Sequence, residues 1–407
     1  MEEYTYEEEH HTRWWPFALF SVLIIAGVLI FIFTGDDNLR SPGSPGTGCV
    51  VMQDSGDYED SINIVFLGTE YESVEEFRVD TDGFMESFLS VVPHNNYRDR
   101  FNFFRIEDFG SYGCKYEDAV ICNPQTVQRE ATKCPGQDMN VVLVSRSKVN
   151  NFFKHLRSSA WLTLVSLNSA DDPLVLSHEA AHVLYDFADE YVYGGIITWD
   201  APNCDSDKNT CPKFSAVDGA ECLIGCVNEE NSRPAEYDIM SNYWKSDRYE
   251  IYNEWWIGNY LEENTMEGSS DAITEGDPIE SPQDVYIVEG DCTSDGDCTI
   301  IGVDYSPAAY PTKSKTPSYG SPNVYIKHGG KSIYVPTDNI LFKDFGPEGN
   351  IEKRPYSFSL AIPVNDKDPS VELHEEGEVK EIYVVKRTES SDRTGAGSRV
   401  LNIPEVS

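Results

Sequence analysis

The stretch "LSHEAAHVLYDFADEY", residues 176–191, decides how this chain is read. His178 and His182 stand four apart, with Glu179 beside the first. On a helix, residues at this spacing project from one face, so the two rings can point at one ion. Two neutral imidazoles ~2.0–2.1 Å from a shared ion are a zinc pattern. Glu179 lies ~100° round the helix from His178, where it does not ligate but can take a proton from a water at the open coordination position. Such a set suits hydrolysis. The bland alternative is an amphipathic helix that happens to contain histidine. Ser177 as a candidate N-cap, with Ala180 and Ala181 allowing close packing behind the motif, speaks for the metal. The other histidines, His10, His11, His94, His155, His328 and His374, have no partner at ligand spacing and read as tail, surface or structural residues.

The third protein ligand has to come from farther along. On an unbroken helix Asp189 would sit ~10.5 Å along the axis from His182, out of reach of a shared ion. The helix is therefore expected to end near Tyr185 or Asp186, with the chain folding back; Asp186 tolerates left-handed backbone better than most residues. Asp189 is the ligand chosen, with Glu190 as the alternative. At least one of the two acids is expected to hold the turn instead.

Charge narrows the partners. Of 407 residues, 31 are Lys or Arg and 70 are Asp or Glu, a formal net charge of -39. Nucleic acid would be repelled at every approach. Hydrophobic residues make up 40% and aromatics 12%, a globular composition. From Trp14 to Phe33 there is no charged residue, and these 20 residues span ~30 Å as a helix, the thickness of a bilayer's hydrocarbon core. Residues 14–34 are read as an uncleaved signal-anchor, with 1–13 as a cytoplasmic tail and the membrane as a partner through this one helix. All ten cysteines follow it, with no CxxC pair among them. Spacings such as Cys114/Cys122, Cys204/Cys211 and Cys292/Cys298 suit disulfides in an oxidising compartment, which puts the body of the chain outside the cytoplasm.

Residues 35–60 are rich in Gly, Pro, Ser and Asp and read as a linker. "INIVFLGTEY" (62–71) is a buried-strand pattern, and the apolar spacing after Val74 predicts a helix ended by Pro93. "RFNFFRIEDF", "DMNVVLVSRS" and "WLTLVSL" follow as strands, the last placed at the sheet edge. A helix over 248–264 closes an α/β (α+β) catalytic domain spanning 61–267. Beyond a boundary near 266–283, short alternating runs and the Gly329-Gly330 turn signal predict an all-β, sandwich-like domain over 280–407. "DSDKNT", with Asp205, Asp207 and Asn209, faintly matches a calcium loop; without the glycine and the terminal glutamate, a turn between disulfides is favoured over bound Ca2+.

"HEAAHVLYDFADEY" resembles the HExGH…LADEY signature of the IgA-peptidase family of metallopeptidases, zinc enzymes with a metzincin-like catalytic domain. Upstream, Gly68 and Tyr71 of "IVFLGTEY", then Pro93, Tyr97, Phe101 and Asn102, continue the likeness, which spans about residues 60–265. The resemblance implies zinc on His178 and His182, Glu179 as base, and a third ligand from the "DEY" acids. It departs from the pattern at Ala181, where a glycine is usual, and at Tyr185 and Ala188, which hold the places of a metzincin's turning glycine and third histidine. "YDIMSNYW" (237–244) resembles the methionine turn beneath a metzincin's zinc, which puts Met240 under the rings and gives Tyr243 the role of oxyanion donor.

The expectation is a membrane-anchored, extracytoplasmic endopeptidase with one catalytic zinc, acting on a protein or peptide. Its rival is a surface adhesion protein on a degenerate protease fold, which would hold no metal or turn nothing over.

Overall fold

The computed structural model describes residues 48–384, leaving aside 57, 148–150, 152–154, 196, 198–199, 266–281, 295–296, 314–323, 329–330, 335–339, 344–351, 365–369 and 376–377. The expected membrane segment 14–34 and the tail before it lie outside these residues. Among the described residues, no helix is long and apolar enough to cross a membrane.

The strands are β1 (Cys49–Gln53), β2 (Ile62–Thr69), β3 (Phe101–Ile106), β4 (Lys115–Tyr116), β5 (Val120–Ile121), β6 (Met139–Val144), β7 (Ser159–Trp161), β8 (Leu164–Asn168), β9 (Leu223–Cys226) and β10 (Asn228–Arg233). Among the described residues five α-helices accompany them: α1 (Val74–Ser90), α2 (Pro124–Ala131), α3 (Val175–Tyr185), α4 (Ile239–Asn242) and α5 (Glu250–Asn264). After residue 282 the elements among the described residues are strands: β11 (Gln283–Cys292), β12 (Cys298–Ala309), β13 (Val324–His328), β14 (Lys331–Tyr334), β15 (Ile340–Lys343), β16 (Glu352–Lys353), β17 (Tyr356–Pro363), β18 (Ser370–Glu375) and β19 (Glu378–Val384).

A mixed sheet of eight strands, ordered β1-β3-β2-β6-β8-β7-β15-β16, forms the centre. Its inner strands β3, β2, β6 and β8 are parallel, with Ile64 beside Met139 and Asn140 beside Leu164. Parallel strands are covered on both faces, which is why "INIVFLGT" has no exposed position. Ile64 and Phe66 face one core with Phe77, Phe84 and Phe88 of α1 and Leu176, Ala180 and Ala181 of α3. Val65 and Leu67 face the other, with Val127 and Ala131 of α2. Gly68 lets two rings close over the strand end: a Cβ there would lie 3.0 Å from both Phe109 and Phe77.

Two strand expectations change. "WLTLVSL" is split into β7 and β8, and β8 is interior because β7 folds back against it and β15 then pairs with β7, Phe342 opposite Ala160. No local sequence signal could announce a strand arriving from residue 340. The C-terminal strands form sheets ordered β12-β11-β17 and β14-β13-β18-β19, both antiparallel. His328 pairs with Lys331, which makes β13 and β14 antiparallel neighbours, while the expected Gly329-Gly330 turn lies outside the described residues. Contacts cross the expected 267–280 boundary: Val288, Phe358 and Leu360 pack with Ala119, Ile121 and Trp161. Arg129 of α2 reaches Glu289 and Asp304 at 2.8 Å each.

Five disulfides join Cys49–Cys134, Cys114–Cys122, Cys204–Cys226, Cys211–Cys222 and Cys292–Cys298. Cys204 and Cys211 are thus nested partners of Cys226 and Cys222, not of each other. The β9–β10 hairpin and the turn at Asp205 bring the distant pairs together, with Asp205 and Ser232 exchanging backbone bonds at 2.8 and 3.0 Å.

Candidate metal centre

Helix α3 is seated by its apolar stripe. Val175, Leu176, Ala180, Ala181 and Leu184 join the core that holds Val141, Leu143, Val165 and Leu167 of the sheet. The helix begins at Val175, so Ser177 is not its N-cap. Asp172 serves the helix start instead, its carboxylate accepting from Leu174 N at 3.0 Å. Ser177 lies inside the first turn, where its carbonyl accepts the Tyr249 hydroxyl of the segment entering α5.

The helix stops at Tyr185. Asp186 takes left-handed geometry, φ 55° and ψ 29°, and Phe187 N donates back to Ala181 O at 3.2 Å. Tyr185, at the place of a metzincin's turning glycine, is buried and donates its hydroxyl to His94 Nε2 at 2.9 Å. His94 stacks on Phe88 and gives its Nδ1 proton to Phe88 O at 3.2 Å. Burial pushes that imidazole down to about 3. It is a structural histidine, as its lack of a spaced partner implies.

The reversal brings Asp189 to the histidines. Asp189 Oδ1 lies 3.2 Å from His178 Nε2 and 3.4 Å from His182 Nε2. One ligand atom from each of the three falls within 4.8 Å of the others, the one such group among the described residues. His178 Nδ1 is 2.9 Å from Ile239 O, and His182 Nδ1 is 2.7 Å from Phe187 O. A carbonyl only accepts, so both Nδ1 atoms carry the proton, and each neutral ring turns a lone pair at Nε2 toward Asp189. Two imidazole lone pairs and a carboxylate oxygen, all buried, repel one another unless a cation sits among them. Two nitrogens and one oxygen are also a zinc donor set, with both rings oriented by main-chain carbonyls. The residues present fit the metal. Burial alone would raise the Asp189 carboxyl; once both imidazoles are doubly protonated, their charge and Nε2 hydrogen bonds outweigh it and hold it at about 2.

Glu179 is fully buried on α3, both carboxylate oxygens shut off from solvent. Glu190 turns away from the three and holds the scaffold. Its Oε1 accepts from Asn203 Nδ2 at 3.0 Å and from Asn253 Nδ2 at 2.7 Å, and its N–H donates to Met240 O at 3.0 Å. Asn253 Nδ2 also reaches Asp238 Oδ2 at 2.8 Å. Burial raises both carboxyls, Glu190 well above its ordinary range with Asp238 adding to the effect, and Asp238 to about 6. The pair keeps a proton that separated carboxylates would shed.

Asp238 caps α4, accepting from Ser241 N at 2.7 Å, which fixes the turn carrying Ile239, Met240 and Tyr243. Met240 is fully buried, and the Tyr243 ring lies against His178 with centroids 5.6 Å apart. Asp205, Asp207 and Asn209 do not gather as ligands among the described residues. Asp205 accepts from Asp207 N and Lys213 N at 2.8 Å each, and Asp207 from Asn209 N at 3.0 Å, which is a stitched turn between disulfides.

Three residues that matter here were not singled out in the sequence. Asn203 grips Ala188 at both its N–H and its C=O, at 2.8 and 2.7 Å. Asn253 carried a readable signal, a polar residue on the buried stripe of α5 with Ile257 and Leu261 at the following helical spacings. Tyr193, whose hydroxyl is buried without a hydrogen-bond partner among the described residues, carried none.

No family model matches the chain, and no curated protein matches it. Among solved structures, catalytically inactive OgpA from Akkermansia muciniphila, in complex with the O-glycopeptide substrate glycodrosocin, aligns at a TM-score of 0.27 and 9% identity. That alignment covers 85% of this chain and 94% of the other. A likeness of that size transfers nothing to this chain.

Proposed function

We propose that this chain is a zinc-dependent endopeptidase with a metzincin-like catalytic domain, anchored in a membrane by residues 14–34 and working outside the cytoplasm. The observation that carries the reading is the convergence of His178 Nε2, His182 Nε2 and Asp189 Oδ1, buried and with both opposite ring nitrogens pinned to carbonyls. His178, His182 and Asp189 would hold the ion. When bound, zinc polarises a scissile carbonyl and acidifies a water.

Glu179, next to His178 on α3, accepts a proton from the attacking water and returns it to the leaving amine. Its burial keeps bulk water from competing for that proton. Support for the anchor and the location comes from the uncharged run at 14–33 and from five disulfides beyond it. The likeness to the IgA-peptidase family rests on the motif residues themselves, and no particular substrate comes with it.

The test is cleavage of an unstructured protein such as casein by the full chain, beside a Glu179→Gln variant. Turnover is expected to fall by about 10²–10⁴-fold, with zinc content unchanged. A variant that cleaved at the parent rate would overturn the reading.

A further inference from the structure

Beyond the glutamate and the ligands, hydrolysis of a peptide needs a donor for the carbonyl oxygen as charge develops on it. Tyr193, four residues past Asp189, has the structural features of such a donor. Val227 ties the two together: its N–H donates to Asp189 O at 3.1 Å, while its carbonyl accepts from Tyr193 N and Gly194 N, each at 3.1 Å. The Tyr193 side chain packs on the cluster of Ala188, Ala201, Cys204, Cys226 and Val227. Its ring crosses so close to Gly195 that a Cβ there would lie 2.4 Å from it. The Cys204–Cys226 disulfide closes the same cluster, so the ring is held by covalently stapled neighbours.

Its hydroxyl is the unusual part. Tyr193 Oη is shut off from solvent and has no hydrogen-bond partner among the described residues. Buried hydroxyls are nearly always satisfied, and one that is not, on the segment that Val227 ties to Asp189, is left with a bond to give to an acceptor brought by a substrate. Besides burial, the Asp189 carboxylate acts on it. Both influences push its pKa above the usual tyrosine range, so it keeps its proton and remains a donor throughout the physiological range.

We propose that the Tyr193 hydroxyl donates a hydrogen bond to the substrate's carbonyl oxygen at the His178–His182–Asp189 centre, the task the sequence assigns to Tyr243. The proposal rests on the endopeptidase reading. A donor already desolvated and locked in place needs no reorganisation when the oxyanion forms, which is where such a group gains its effect.

The experiment compares the zinc-loaded full chain with Tyr193→Phe and Tyr243→Phe on a peptide taken from a mapped casein cleavage site. Zinc content and the affinity of the phosphinic isostere of that peptide are measured on the same samples. In Tyr193→Phe, kcat is expected to fall on the order of 10²-fold, with KM and zinc content held within about twofold. The phosphinic peptide should weaken by a similar factor. Tyr243→Phe should change each quantity by less than Tyr193→Phe does. A Tyr193→Phe enzyme with unchanged kcat overturns the proposal, as does a rise in KM alone, which marks uniform binding. Loss of zinc in that variant would instead make Tyr193 a prop for Asp189, and would also overturn it. If the parent chain neither binds zinc nor cleaves casein, the endopeptidase reading itself fails, an outcome the parent sample reports separately.

Discussion

Asp189 and Glu190 are adjacent in the chain and belong to two different regions of the molecule. Asp189 faces the imidazoles on α3, a helix seated by apolar packing on the sheet. Glu190 faces a fully buried polar network, Asn203, Asn253 and Asp238, that joins the 186–190 reversal to α4 and α5. One wall of the site is thus held by hydrophobic burial and the other by hydrogen bonds to carboxyls. The comparison teaches that a single backbone reversal serves both: the orientation that aims one carboxylate at the rings sends the next into the scaffold.

The largest expected difference is in metal affinity. Asp189→Asn should weaken zinc binding by at least about 10³-fold, beyond the 10–100-fold typical of losing an outer-shell partner. Glu190→Gln should stay within about that outer-shell range. Competition with a chelating dye measures both, and equal losses would erase the distinction between the two acids.

Next in size is the polar wall itself. Asn253→Ala removes the amide that bonds both Glu190 and Asp238. Urea unfolding should report a loss of about 2–4 kcal/mol, since hydrogen bonds to carboxyl groups contribute roughly 1.5–3 kcal/mol each before relaxation. Leu184→Ala on the apolar wall should cost a similar amount, roughly 2–4 kcal/mol, yet leave zinc affinity unchanged while Asn253→Ala lowers it.

The two acids should also give stability opposite slopes with pH. Asp189 is lowered from 3.8 to about 2, so its contribution is present above 3.8 and lost as pH falls through about 2. Asp238 is raised from 3.8 to about 6, and Glu190 is raised as well. Their contribution is full below 3.8 and is lost as pH rises from there through about 6, with Glu190 extending the loss upward. In chelator-treated protein the urea midpoint should climb between about pH 2 and 4 and decline from about pH 4 through 6, each limb on the order of 2 kcal/mol. Asp189→Asn should flatten the first limb and Glu190→Gln the second.

The smallest effect is expected far from the site. Arg129, 45% exposed at its side chain, pairs with Glu289 and Asp304 across the junction with the C-terminal strands. Arg129→Ala should cost only about 0.5–1 kcal/mol, with cleavage unaffected; a larger loss would mean that this junction is part of what holds the site.

Much of this was legible in the sequence where the governing physics is local. The i, i+4 histidines, the need for the helix to end before Asp189 can return, and the tolerance of Asp186 for left-handed backbone all follow from helix geometry. The continuous apolar run at 62–69 likewise reports a strand buried on both faces. What stayed hidden depends on partners distant in the chain. Glu190 is settled by Asn203 and Asn253, residues 13 and 63 positions away. Cys204 and Cys211 find Cys226 and Cys222 through a hairpin, whereas Cys114–Cys122 and Cys292–Cys298 are close enough for spacing to serve. The Ser177 expectation failed because an acid upstream, Asp172, supplied the first acceptor.

The most direct test of the central claim is the metal itself: elemental analysis and zinc-edge X-ray absorption on the purified full chain. The account predicts one zinc per chain, bound by two imidazole nitrogens and a carboxylate oxygen, and lost from His178→Ala, His182→Ala and Asp189→Asn alike. A chain without metal, or one whose zinc survives replacement of all three side chains, would contradict it.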